Sequence, residues 1–300
     1  MVAWNSQPCF LRRLPAGTCG GAPRFGRAPR LLACLALLLG LTACFPRVLP
    51  AQTWEYSPYS IKVWLALDRA AELSAGLAER IQRVVAERAW VVAGATWQVE
   101  VLPCPAALAF DAARHPERVA TEAVQALAAE VLKQDDKLIL LGVRDELTGL
   151  AIAVRELDCR TRMWQPVLTR RVTQPGRVAD ESFAALLDAF VPFGRIESSK
   201  GKEAVVRVRA GGLIAGEESP AALPDGAVLV QIIRRNDRLG EPLANGIQQA
   251  KWTFLTVTGR KGNQLQCQVA SGMTSPLGGR SSARTLRLAL LAKPRLEATD

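Results

Sequence analysis

Between Lys137 and Val172 the chain runs through KLILLGVR (137–144), LAIAVRELD (150–158) and WQPVLTRRV (164–172), separated by Thr148-Gly149 and by residues 159–162. Short β-branched and aliphatic runs bounded by Gly, Asp and Thr signal consecutive strands joined by tight turns. Three adjacent strands need a covering layer, so the flanking segments must supply one.

Those segments carry helical periodicity. Ile61 to Leu67 reads as a strand. Leu73, Leu77, Ile81, Val84 and Val85 then form a stripe, with Asp68 or Ser74 as cap and Gly94 as stop. Thr96 to Leu102 is a further strand, stopped by Pro103 and Pro105, and a loop through His115-Pro116 follows. Thr121 is placed to cap a second helix, with Glu122 in its first turn and Val124, Leu127, Ala128, Val131 and Leu132 as its stripe. After Pro175-Gly176, Asp180 is placed to cap a third, which carries Phe183, Leu186, Leu187 and Phe190 and stops at Pro192. The order β-α-β-α-β-β-β-α predicts a two-layer α/β domain with a mixed sheet over 52–194.

Past Gly194 the stripes vanish. AVVRVR (204–209), AVLVQII (227–233), WTFLTVT (252–258), QLQCQVA (264–270) and RTLRLALL (284–291) alternate with Ser199-Lys200-Gly201, Gly211-Gly212, Asn245-Gly246, Gly262-Asn263 and Gly278-Gly279. Short strands between turn residues predict a small all-β barrel or sandwich over 195–300, and an α+β class overall. Trp252 and Phe254 are expected to face its core.

Charge divides along the same line. Residues 1–51 hold six arginines and no acid, 52–194 hold 16 basic and 19 acidic residues, and 195–300 hold 16 basic and 9 acidic. The formal net charge of +10 therefore belongs to the leader and the β-domain. Arg12, Arg13, Arg24, Arg27 and Arg30 precede an apolar run from Leu31 to Ala43 that is short for a bilayer-spanning helix and fits an export signal. Leu41-Thr42-Ala43-Cys44 resembles a bacterial lipobox, which would make Cys44 the lipidated N-terminus. Leu49-Pro50-Ala51 before Gln52 is the competing cleavage site, and an uncleaved anchor is the third alternative. The mature chain then keeps Cys104, Cys159 and Cys267, with either a Cys104–Cys159 disulfide or three unpaired thiols.

The helix, the KLILLGV strand and the following strand that ends in Asp158 resemble the α/β domain of the curli-secretion lipoprotein family and related envelope-assembly lipoproteins. That family often carries an Asp-x-x-Thr-Gly turn. Here Asp158, Thr161 and Arg162 occupy its places, so the glycine is missing and a different turn is expected. The β-domain resembles the one that ends the flagellar assembly protein T family. Both resemblances imply an envelope scaffold and bring no active site with them.

Candidate chemistry is sparse. His115 is the sole histidine, no G-x-S-x-G elbow accompanies it, and neither nucleotide-loop pattern occurs. Asp135-Asp136 and Asp145-Glu146 stand at opposite ends of one strand, too far apart for an acid/base pair. Trp54, Trp64, Trp97 and Trp164 fit either the lining of a groove or, as aromatics at strand positions more often do, the core. No catalytic, metal or cofactor residues are assigned, and nucleic acid and small-molecule substrates are not expected. Arg207, Arg209, Arg234, Arg235, Arg260 and Lys261 would form a cationic patch if they converge. The sequence thus describes an exported, periplasmic or lipid-anchored, non-catalytic module that binds an envelope protein at a sheet edge or around Trp164. The alternative is a binder of an anionic polymer or lipid surface.

Overall fold

The computed structural model describes residues 54–68, 75–273, 277 and 284–293. Residues 1–53, Cys44 and Gln52 among them, and Leu73, Ser74 and Gly278-Gly279 lie outside the described residues. Residues Leu49–Asp300 form one compact unit.

The first lobe runs β1 (Tyr59–Leu67), α1 (Ala75–Ala93), β2 (Trp97–Pro103), α2 (Ala106–Arg114), α3 (Thr121–Gln134), β3 (Lys137–Glu146), β4 (Gly149–Asp158), β5 (Met163–Trp164), β6 (Leu168–Val172) and α4 (Val178–Ala189). The sheet order is β2-β1-β3-β4-β5, with β6 also on β4. β1 is parallel to β2 and β3, and β4 is antiparallel to its neighbours. The sheet is therefore mixed.

Alternation along the strands splits the core. Ile61, Val63, Leu65, Ile139, Leu141 and Val143 pack under α1 and α4. Trp64, Ala66, Leu138 and Leu140 pack under α2 and α3. Helices thus cover both faces, a third layer beyond the two expected. The expected α3 lies on that second face beside α2, which forms where the sequence reads as loop and whose Ala-rich run lets it sit close to the sheet. A Cβ on Gly142 would stand 2.4 Å from the Ala112 carbonyl oxygen, so β3 needs glycine there.

Two caps also differ from expectation. Ala120 and Arg177 are the residues before α3 and α4, and neither makes a side-chain cap, so Thr121 and Asp180 are helical instead. Asp180 pairs with Arg88 of α1, and near the helix start its charge also suits the helix dipole. Gly94, at φ 54°, closes α1 as expected. The return strand breaks at Gln165-Pro166-Val167 into β5 and β6, because proline cannot donate to the ladder.

The second lobe is a closed barrel in the order β10-β11-β8-β7-β12-β9. Its strands are β7 (Phe193–Lys200), β8 (Glu203–Val208), β9 (Val228–Asn236), β10 (Pro242–Lys261), β11 (Gln264–Ser271) and β12 (Thr285–Leu291). Closure removes the edges that an open sandwich would leave. Its interior holds Val206, Leu229, Leu255, Val257, Leu265 and Val269. Phe193, Ile232, Leu288 and Leu290, on the outer wall, belong instead to the core under α1 and α4. The two lobes share that core.

Candidate interaction surfaces

The lobes meet over a buried charge network at one end of the sheet. Lys137 Nζ, fully buried, donates to Glu156 Oε1 at 2.7 Å, to Asp158 Oδ2 at 2.8 Å and to the Val191 carbonyl. It also lies 5.4 and 5.1 Å from the Phe190 and Phe193 ring centres. Burial opposes its charge, but the Asp158 and Glu156 carboxylates prevail and hold its pKa above the ordinary value. Burial pushes the Glu156 carboxyl up, with Lys137 opposing. Glu156 also accepts from Val191 N, and Asp158 from the Arg160 and Thr161 amides.

Asp136, also fully buried, joins the lobes. It accepts from Ser60 N, from Arg160 Nε at 2.9 Å and from Arg209 Nη2 at 2.9 Å. Arg209 stacks over Trp54 at 5.1 Å and donates to the Pro58 carbonyl. From the other side of the barrel Arg234 donates to the Arg160 carbonyl at 2.9 Å and to Asn236. Burial, with Arg160 and Arg162 close by, lowers its pKa to about 10. Sequence spacing alone does not show what meets Asp136 and Lys137, whose partners stand in a later strand and in the second lobe. An Asp-Asp-Lys run at a strand start is the signal that was there to read.

The six expected patch residues therefore divide. Arg209 and Arg234 converge on the joint and are used inside the molecule. Arg207 pairs with Glu197 and Glu55. Arg235, Arg260 and Lys261 are exposed. Lys261 stands opposite Gln264, which stands opposite Arg207, so these two share one end of the barrel. Arg235 is on β9, with β10, β11 on one path and β12, β7 on the other between it and β8.

Other candidates also find their places. Asp158 does hold a turn, and Arg162 adopts φ 56° in it, the left-handed conformation that glycine would take most easily. Trp64 and Trp97 are buried. Trp164 is capped by the Arg155 guanidinium at 4.5 Å, and Arg155 also holds the Pro116, Glu117 and Val119 carbonyls, so that face is covered. His115 lies 3.5 Å from Glu117 at the end of α2. Cys104, Cys159 and Cys267 are free thiols. Among the described residues there is no cluster of metal-ligating side chains, and no helix is long and apolar enough to cross a membrane.

Surfaces left open are a sheet edge and a groove. β2 pairs only with β1, and its outer side is unpaired among the described residues. In the last turn of α1, just before it, Trp90, Val91 and Val92 are 76%, 79% and 43% exposed. The groove, of about 940 Å³, runs between Thr121-Glu122, Thr161-Arg162 and Leu243–Ile247 of β10. Lys133 and Glu241 bridge from α3 to the foot of β10 at 3.7 Å.

No family model matches the chain and no curated protein matches it. Among solved structures it is similar to the crystal structure of TolB from Acinetobacter baumannii, at 9% identity and a TM-score of 0.28. The likeness covers 73% of this chain and 61% of that one, so the chain spans about three fifths of that structure's length. A superposition this loose transfers neither fold detail nor function. The curli-secretion and flagellar-assembly likenesses stay at the level of resemblance.

Proposed function

We propose that this chain is an exported protein of the bacterial cell envelope that recognises another envelope protein by surface contact and makes or breaks no bonds. The leader, with Cys44 or Gln52 as mature start, supports export. The observation that carries the recognition half is the open edge of β2 beside Trp90, Val91 and Val92. Three consecutive exposed apolar side chains are costly to solvate, and an unpaired strand offers a row of backbone donors and acceptors. A partner strand laid along β2 would satisfy both, with Trp90 as its apolar anchor. Trp164, the other site considered, is closed by Arg155.

The test places a photoreactive residue at Gln98, which is exposed on β2, in cells that export the protein. The expected result is one adduct with an envelope protein, lost when Trp90 and Val91 are both changed to serine. An unlinked protein, or an adduct indifferent to those changes, overturns the reading. Intact mass after membrane fractionation decides the tether: a membrane-bound species starting at acylated Cys44 supports it, and a soluble one starting at Gln52 removes it.

A further inference from the structure

Trp252 and Phe254 do not face the barrel core. They are 78% and 41% exposed, and Met273 is 58% exposed. Thr253, Leu255 and Val257 take the inward face, so alternation turns Trp252 and Phe254 outward, and a register shift against β9 falls between Gln249 and Phe254, with Trp252 at φ 55° within it. A bulky residue in the left-handed region is uncommon. The three residues share one end of the barrel wall. Gly272 N donates to the Trp252 carbonyl at 3.3 Å, Thr253 pairs with Ser271, and Phe254 stands between Val230 and Ala270.

Lysines ring them. Lys251 precedes Trp252, and Val269 N donates to the Lys202 carbonyl at 2.7 Å, which sets the β7–β8 hairpin tip beside the same strand end. Lys200, Lys202 and Lys251 are exposed, and none is within ion-pair distance of a carboxylate among the described residues; Glu203 stands opposite Lys200 in the hairpin ladder. None of the three belongs to the arginine patch expected from sequence.

We propose that this end of the barrel docks on a bilayer surface containing anionic phospholipid. Trp252, Phe254 and Met273 enter the headgroup region, and the lysines meet the phosphates. Charge selects the occupant: a rim of unpaired lysines on a lobe with 16 basic and 9 acidic residues suits an anionic surface. Aromatic and thioether side chains inside a lysine rim are the composition of interfacial anchors. This docking is independent of the partner reading at β2, which lies on the other lobe.

The test measures partition of the mature protein onto phosphatidylcholine vesicles with and without phosphatidylglycerol, in a Cys44→Ser background so that no acyl chain contributes. Wild type is expected to prefer the anionic vesicles. Trp252→Gly with Phe254→Ser should lower that partition at least about tenfold. Lys200, Lys202 and Lys251 changed together to Gln should lower it on the order of a hundredfold, roughly fivefold each. Trp252→Gly relieves the backbone at that position, so its melting temperature should hold while binding falls, which separates docking from folding. Equal partition onto neutral vesicles, no partition at all, or variants that bind like wild type would each overturn the proposal.

Discussion

Replacing Lys137 with methionine keeps an unbranched side chain only one atom shorter and removes its charge. The wild-type ammonium serves Glu156 and Asp158 at 2.7 and 2.8 Å, and all three side chains are fully buried. Without it two carboxylates stand in the interior with no cation between them, and removing one partner of a buried pair costs about 3–5 kcal/mol. For a unit of this size each kcal/mol lowers the melting temperature by roughly 2–4 °C, so a fall of roughly 6–20 °C is expected. The pH dependence fixes the mechanism. The folded pKa of Glu156 is raised, so its contribution to stability is greatest below its unfolded value, about 4.3, and falls as pH rises through the folded value. Removing Lys137 raises that carboxyl further, so the deficit should shrink as the solution is acidified from about pH 7.5 to about pH 5.5. Lys137 itself, held above its unfolded value of about 10.4, gives wild type a stability that is lost only as pH climbs past that value. Calorimetry at the two pH values measures both effects. A melting temperature within about 2 °C of wild type at the higher pH would refute the view of the triad as a sealed structural joint. Adding Glu156→Gln and Asp158→Asn should restore part of the loss, since an uncharged buried set carries a smaller desolvation cost.

Other consequences follow from single positions. Gly142→Ala puts a Cβ 2.4 Å from the Ala112 oxygen, and urea titration should show a loss of about 1–3 kcal/mol or no soluble protein. Arg162→Gly relieves a φ of 56° and should raise stability by about 0.5–1 kcal/mol, with unchanged stability or a loss showing that the arginine side chain matters more than its backbone. Alkylation of denatured, unreduced protein should label Cys104, Cys159 and Cys267 in full. In the native state burial raises the Cys104 thiol to about 12 and the Cys267 thiol to about 11, so labelling near neutral pH should be slow.

The sheet was legible because its strands are dense in β-branched residues and its main helices carry stripes. What escaped was set by tertiary contact. α2 has too few large apolar residues to show a stripe, and its helical state rests on Leu108, Ala112 and Ala113 packing on β3. β7 reads FGRIESSK, which lacks strand composition at its end and is held by pairing with β8 and β12. Three of the six patch residues have partners inside the molecule, which sequence spacing could not show because it says nothing about which groups stand nearby. Asp136 took Arg209, and Glu197 and Glu55 took Arg207. Trp252 and Phe254 were misplaced because an alternating run offers two apolar faces, and Leu255 and Val257 took the interior one.

The shared core has a consequence for modularity. Phe193, Ile232, Leu288 and Leu290 point out of the barrel into the neighbouring lobe, and Arg209 reaches back to Asp136. Neither half is a cassette that recombination could move intact. A barrel transplanted to another host would carry an apolar wall and an unpaired arginine, and would need a receiving sheet already fitted with both complements. Residues at β2, the groove and the lysine rim can change one at a time without disturbing the fold, but the seam between the lobes must change on both sides at once.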